Sequence, residues 1–263
     1  MHLKHTLGKR LNKSTISRLL GRHGWCKLAS RPIHPKASKE EQEAFTKTFA
    51  AEVASAVAAR PPEDTRPVLK MAQDEGRFGR ISIPKRAWAP PGVRPTVHRQ
   101  VIRQSSYVYA AMAPEQGLMT SLVLPSSNTE MMNLFLAYVA EVFADYFIVM
   151  QTDQAGWHRA KELSVPENIR LILQPAYSPE LNPVEHIWEK IREKPLHNLS
   201  LPSLDKLIER LCQALSVLTE KKDRLRSLTF FPHFRCTSSE ETALRRSMFI
   251  RASDEVRQKP FVC

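Results

Sequence analysis

A chain of 263 residues with 42% apolar content and a net charge of +12 has the material for one sizeable core and a small accessory unit. No run of about 18 apolar residues occurs, which argues against a membrane helix, and Met1-His2-Leu3-Lys4-His5 leads into no apolar signal segment. Cys26, Cys212, Cys236 and Cys263 form no CxxC pair, which speaks against a structural zinc site and a disulfide framework and favours a reducing cytoplasm.

The charge is concentrated at the start. Ten Lys or Arg and no Asp or Glu lie between Met1 and Lys39, and a basic block of this kind suits a polyanion, most often nucleic acid. Within it, Ile16, Leu19 and Leu20 recur at helical spacing, with Asn12 or Ser14 as caps and Gly21 or Gly24 as stops. A glycine turn followed by a helix exposing Thr15, Ser17, Arg18 and Arg22 is the layout of a helix-turn-helix reader, and these four are the candidate DNA contacts. A basic helical hairpin without that role has the same pattern. Residues 1–30 are therefore read as a partial helix-turn-helix segment.

Residues 31–66 are a linker and a helix. Ser38-Lys39-Glu40-Glu41 is a capping box that opens a helix to about Ala59, with an apolar stripe of Phe45, Phe49, Val53 and Val57. Pro61-Pro62 closes it.

From Val68 the pattern turns to strands. Val68 to Gln73 reads as a buried strand ending at Asp74, and Arg80 to Ile83 as a separate short strand. Ser106–Met112 and Leu118–Leu124 flank Pro114-Glu115-Gln116-Gly117 as a hairpin. A helix from Asn128 or Thr129 to about Ala144 precedes an apolar strand, Tyr146–Met150, which Asp153 follows. Ile169–Leu173 is a further core strand, and helices are expected at about 183–194 and 202–221. Hairpin strands followed by alternating helix and strand predict an α/β fold, a mixed sheet flanked by helices. A polar tail is expected over residues 235–263.

Acids at the C-terminal ends of buried strands stand where such sheets collect catalytic groups. Asp74 and Asp153 both read this way, although either alone could be a turn former. A third acid, Glu185, lies in Ser178-Pro179-Glu180-Leu181-Asn182-Pro183-Val184-Glu185. There Asn182 suits the N-cap and Pro183 the first helical position. Glu185 could close a capping box. At about 100° per residue it sits at the edge of the packed stripe Val184, Ile187, Trp188 and Ile191, within reach of a site beside the sheet. Three carboxylates without thiolates suit Mg²⁺ or Mn²⁺, and a pair of such ions drives in-line displacement at phosphodiesters. Glu75 should point away from Asp74 because strand side chains alternate. His158 could orient the loop after Asp153 or contact DNA. Trp157 and Trp188 read as core. Arg77, Arg80, Lys85 and Arg86 could grip phosphates or simply be solvated. Tyr177 lacks the Arg/His companions of a tyrosine nucleophile.

The blocks Gln73-Asp74-Glu75-Gly76-Arg77-Phe78-Gly79, Arg86-Ala87-Trp88-Ala89-Pro90, Thr152-Asp153-Gln154-Ala155-Gly156-Trp157-His158 and Pro175 to Trp188 resemble bacterial insertion-sequence transposases of the Tc/mariner superfamily, the DDE type. The resemblance runs from about residue 10 to 234. It implies a ribonuclease-H-like catalytic domain over residues 67–234, with Asp74, Asp153 and Glu185 as catalytic and metal-binding triad and two Mg²⁺ or Mn²⁺ ions. The implied partners are double-stranded DNA with terminal inverted repeats, a TA-containing target, and a second copy of the chain in a homodimer on DNA, in the cytoplasm at the nucleoid. The family's N-terminal region usually has two helix-turn-helix units. Only part of the second is expected here, around Ser14 to Gly24, which suggests a truncated reading frame or a late start codon. The alternatives are a truncated or domesticated relative that binds DNA without cutting, and a ribonuclease-H-like nuclease acting on other nucleic acids, which a preference for RNA–DNA hybrid would support.

Overall fold

The computed structural model describes residues 12–25, 34–82 and 84–235. The expected tail beyond Arg235 and the basic residues before Asn12 lie outside them. The chain divides into two compact units, Met1–Lys36 and Ala37–Cys263.

In the first unit, α1 spans Lys13–Arg22. The Asn12 side chain accepts from the Ser14 amide at 3.3 Å, so Asn12 is the cap. Gly24, at φ +72°, ends the helix in a left-handed turn, and the Trp25 amide returns to the Leu20 carbonyl at 2.9 Å. Thr15, Ser17, Arg18 and Arg22 are all exposed.

The second unit opens with α2, Lys39–Ala58. Ser38 caps it through the Glu41 amide, and the expected stripe buries Phe45, Phe49 and Val53. The sheet follows: β1 Val68–Ile81, β2 Val101–Ala113, β3 Leu118–Leu124, then α3 Thr129–Val142, β4 Phe147–Thr152 and β5 Ile169–Leu173. Three helices follow among the described residues: α4 Val184–Glu193, α5 Leu204–Thr219 and α6 Lys222–Thr229. The strand order is β3-β2-β1-β4-β5. The β3–β2–β1 half is antiparallel and the β1–β4–β5 half parallel, so the mixed sheet expected from the pattern forms.

Alternation along the strands builds two cores. Ala72, Val108, Ala110, Met112, Phe147 and Val149 face α2, α4, α5 and α6. Leu69, Met71, Tyr109, Ala111, Ile148 and Met150 face α3. One lysine enters this interior: Lys70, 7% exposed, donates to the Phe234 carbonyl at 2.7 Å and pairs with Glu115 at 3.3 Å. A buried charge is tolerated when it is partnered in this way.

Two local expectations need correction. Arg80 and Ile81 are not a separate strand, because β1 runs unbroken past Asp74 with only a register shift at Gly79/Arg80. Antiparallel pairing with β2 carries β1 on after its parallel pairing with β4 ends at Ala72↔Gln151. The last helix expected, at about 202–221, is α5, and the short α6 that follows it was not expected.

Candidate active site

Asp74 lies inside β1, two residues beyond the last β1–β4 pair. Its carboxylate therefore emerges where the parallel half of the sheet stops. It faces α4, and the Trp188 indole N–H donates to its Oδ2 at 2.7 Å. Trp188 is 1% exposed and stacks edge-on against Phe78, with ring centroids 5.8 Å apart. Gly76 makes this approach possible, since a Cβ there would sit 2.8 Å from the indole and 2.8 Å from the Phe78 ring. Trp188 is thus core, as expected, and also a hydrogen-bond donor to the first aspartate.

Asp153 follows β4 by one residue. Its Oδ1 accepts from the Ala155 amide at 2.9 Å and from His158 Nδ1 at 2.7 Å. His158 sits on a 3-10 turn, Gly156–His158, and its side chain is fully enclosed. Its other nitrogen, Nε2, meets Glu75 Oε1 at 3.0 Å. Glu75 also accepts from Trp157 Nε1 at 3.3 Å and Gln73 Nε2 at 2.9 Å. Glu75 does point away from Asp74, as alternation requires. What the sequence did not show is that the loop after β4 curls over the strand edge, so that His158 joins Glu75 to Asp153. His158 is an orienting group rather than a DNA contact.

Glu185 stands in the first turn of α4. Asn182 anchors that turn by accepting from the Val184 amide at 3.1 Å and donating to the Gln73 carbonyl of β1 at 2.9 Å. The Asn182 backbone N–H is satisfied by the Pro179 carbonyl at 3.0 Å. Glu185 therefore does not close a capping box, and its side chain is left to face the cleft.

Asp74, Asp153 and Glu185 line one cleft of about 420 Å³ with Arg159, Gln174 and Tyr177. Burial, then the nearby charges of Glu185 and Glu75, hold Asp74 well above the usual carboxylate range against the lowering effect of Trp188. Burial also raises Glu185, which Arg192 only partly offsets. Asp153 goes the other way. Burial raises it, but the bonds from His158 and the Ala155 amide outweigh that and lower it. His158 is pressed down by burial and pulled up more strongly by its two carboxylates, to about 10. It is an imidazolium at neutral pH.

Carboxylate oxygens of this kind are donors for hard divalent cations. Among the described residues, no group of three His, Cys, Asp or Glu side chains is already arranged around a metal position. The other candidates separate. Arg80 is buried, donating to the Leu201 and Pro202 carbonyls, and so is structural. Arg77 donates to Ser105 at 3.0 Å. Tyr177 lines the cleft with a strained φ of +55°. Arg159 was missed by sequence reasoning, though it directly follows the Asp153-to-His158 block.

A model of DDE superfamily endonucleases matches residues 71–208, which takes in all three carboxylates. The chain belongs to this superfamily. A winged helix-turn helix model matches residues 2–49. This DDE endonuclease is 36% identical over 124 residues to protein y4pE/y4sA of Sinorhizobium fredii (strain NBRC 101917 / NGR234), covering 47% of this chain and 92% of that one. Its fold is that of the Mos1 mariner transposase. It matches the Mos1 strand transfer complex with a TM-score of 0.54 at 14% identity, over 86% of this chain and 71% of that one. It matches the Mos1 paired end complex with Mn at 0.57 and 14%, over 86% and 70%. The family expected from the sequence is thus shown as the DDE superfamily, and the fold, with its ribonuclease-H-like mixed sheet, is that of Mos1.

Proposed function

We propose that this DDE endonuclease is a transposase that cuts DNA at terminal inverted repeats and joins the ends to a TA-containing target. One observation carries the reading: Asp74, Asp153 and Glu185, from three separate elements, line a single cleft. Asp74, Asp153 and Glu185 would hold Mg²⁺ or Mn²⁺, as two ions, which supply a polarised attacking oxygen and stabilise the departing one. The donor chemistry fits. All three side chains offer hard oxygens, and burial, with neighbouring carboxylates adding to it, displaces Asp74 and Glu185 upward, a penalty on their charged forms that a cation relieves.

The protein's own groups do the positioning. Trp188 fixes one Asp74 oxygen, His158 fixes one Asp153 oxygen, and each carboxylate keeps the other oxygen for the site. Glu185 approaches from the α4 turn that Asn182 ties to β1. Arg159 gives the cleft a cation for the scissile phosphate. In the cutting step a water oxygen bonds to phosphorus and the 3′-oxygen departs with a proton. In the joining step that 3′-hydroxyl attacks a target phosphodiester and displaces the target's own 3′-oxygen. The exposed face of α1 supports recognition of the repeats, and two copies would pair two ends.

The test is cleavage of a labelled duplex carrying the inverted repeats that flank the gene, with Mg²⁺, Mn²⁺ or EDTA. We expect metal-dependent nicks at the repeat ends. Asp153→Asn and Glu185→Gln should each lose at least a hundredfold in cutting, on the order of 3 kcal/mol of barrier, while binding the duplex about as well as the parent. Binding without cutting by the parent protein would replace this reading with that of a DNA-holding relative.

A further inference from the structure

A second cavity, of about 430 Å³, opens between α4, α5 and α6. It shares no lining residue with the carboxylate cleft. Its walls carry Lys190, Lys194, Arg210, Lys221 and Arg224, and no acid. Val217 and Leu218 form part of its apolar lining.

The signs are sorted here. The same helices bear Glu189, Glu193, Glu209 and Asp223, yet none of these lines the cavity. An ordinary solvated helical face interleaves its charges at i,i+4, as Lys206 and Glu209 do nearby at i,i+3. None of the five cations makes an ion pair among the described residues. Arg210 is steered by a bond to the Pro195 carbonyl at 3.2 Å. Burial and the neighbouring charges of Lys194 and Arg224 lower the Lys190 ammonium from its ordinary value. Glu193 offsets this only in part; like charges gathered without an ion pair among the described residues raise the free energy of the free protein, and a polyanion relieves it.

We infer that this cavity is a second DNA site, which grips the phosphate backbone of a duplex segment other than the one in the carboxylate cleft. The helix geometry requires the separation. At about 100° per residue, Lys190 and Lys194 lie roughly 140° and 180° around α4 from Glu185. One helix thus presents an acid to the reacting strand and cations to a different stretch of backbone. Phosphate contacts of this type position a duplex without reading its sequence. The inference rests on the proposal that the protein acts on DNA.

The test is binding of a random-sequence duplex to the full chain in EDTA, followed by fluorescence anisotropy from 50 to 200 mM salt. Each phosphate contact contributes about 0.9 to the slope of log K against log salt. The triple variant Lys190→Gln, Lys194→Gln, Arg224→Gln should lower that slope by about 2 to 3. An Arg18→Ala, Arg22→Ala variant should lower it separately, and the two losses should add. Arginine at positions 190 and 194 should retain the parent slope, which separates lost charge from lost folding. A triple variant with the parent slope, in a protein that still binds and cuts DNA, would overturn this inference alone. A parent protein with no salt-dependent DNA binding would remove the functional reading as well.

Discussion

At the scale of single residues, His158 is the most constrained group in the site. Both ring nitrogens meet carboxylates and its side chain is fully enclosed. Its folded-state pKa of about 10 stands above the ordinary 6.5. The folded protein therefore holds this proton more tightly than the unfolded chain does. The stabilisation is complete below about pH 6.5 and is lost as pH rises towards 10. In EDTA, parent stability should fall by a few kcal/mol across that window, and His158→Gln should flatten the decline. Urea melts at pH 6.5 and pH 10 measure it; an equally steep decline in the variant would place the proton elsewhere. Asp153 and Glu185 were legible in the sequence because each stands beside a strong boundary signal, a buried strand end and an Asn-Pro helix start. The His158–Glu75 contact was not, since 83 positions separate the two residues and only the path of the loop after β4 brings them together.

At the scale of elements, the site depends on how closely α4 lies against β1. Gly76→Ala would push a methyl group into Trp188 and Phe78, and overpacking of this kind costs about 1–3 kcal/mol. Both the denaturation midpoint and the cutting rate should fall, because the indole that holds Asp74 is displaced. Asn182→Ala removes the bond from the Val184 amide and the tie to the Gln73 carbonyl together. A loss of about 1–2 kcal/mol is expected, and an unchanged melting curve would show that the turn is held by other contacts. Element types followed closely from periodicity: β3 and β5 fall on the expected residues, and α2 and α3 end within two residues of expectation. The length of β1 did not, because its second half is polar and is kept in strand form by β2 rather than by its own apolar pattern.

At the scale of the molecule, two units with separate tasks are expected to contribute separately to DNA binding. Neutralising Arg18 and Arg22 should weaken binding to the repeats and reduce the salt slope by about 2, while metal-dependent nicking of the bound duplex survives. Equal slopes in parent and variant would remove α1 from the interface. The basic block that suggested a nucleic-acid partner was visible in composition alone. The all-cationic cavity was not, because its residues come from three helices that also carry acids, and the running charge along the chain averages them away.

The parallel pairing of β1 with β4 joins Val68 to Phe147, and the donor that holds Asp74 comes later still, on α4. During synthesis the ribosome therefore releases Asp74 long before the partners that give it a role. Loops of this length close slowly and late. Until Trp188 has emerged, the nascent chain carries Asp74 without the indole that holds it, and a transcript broken off earlier yields a chain in which the carboxylate cleft cannot assemble.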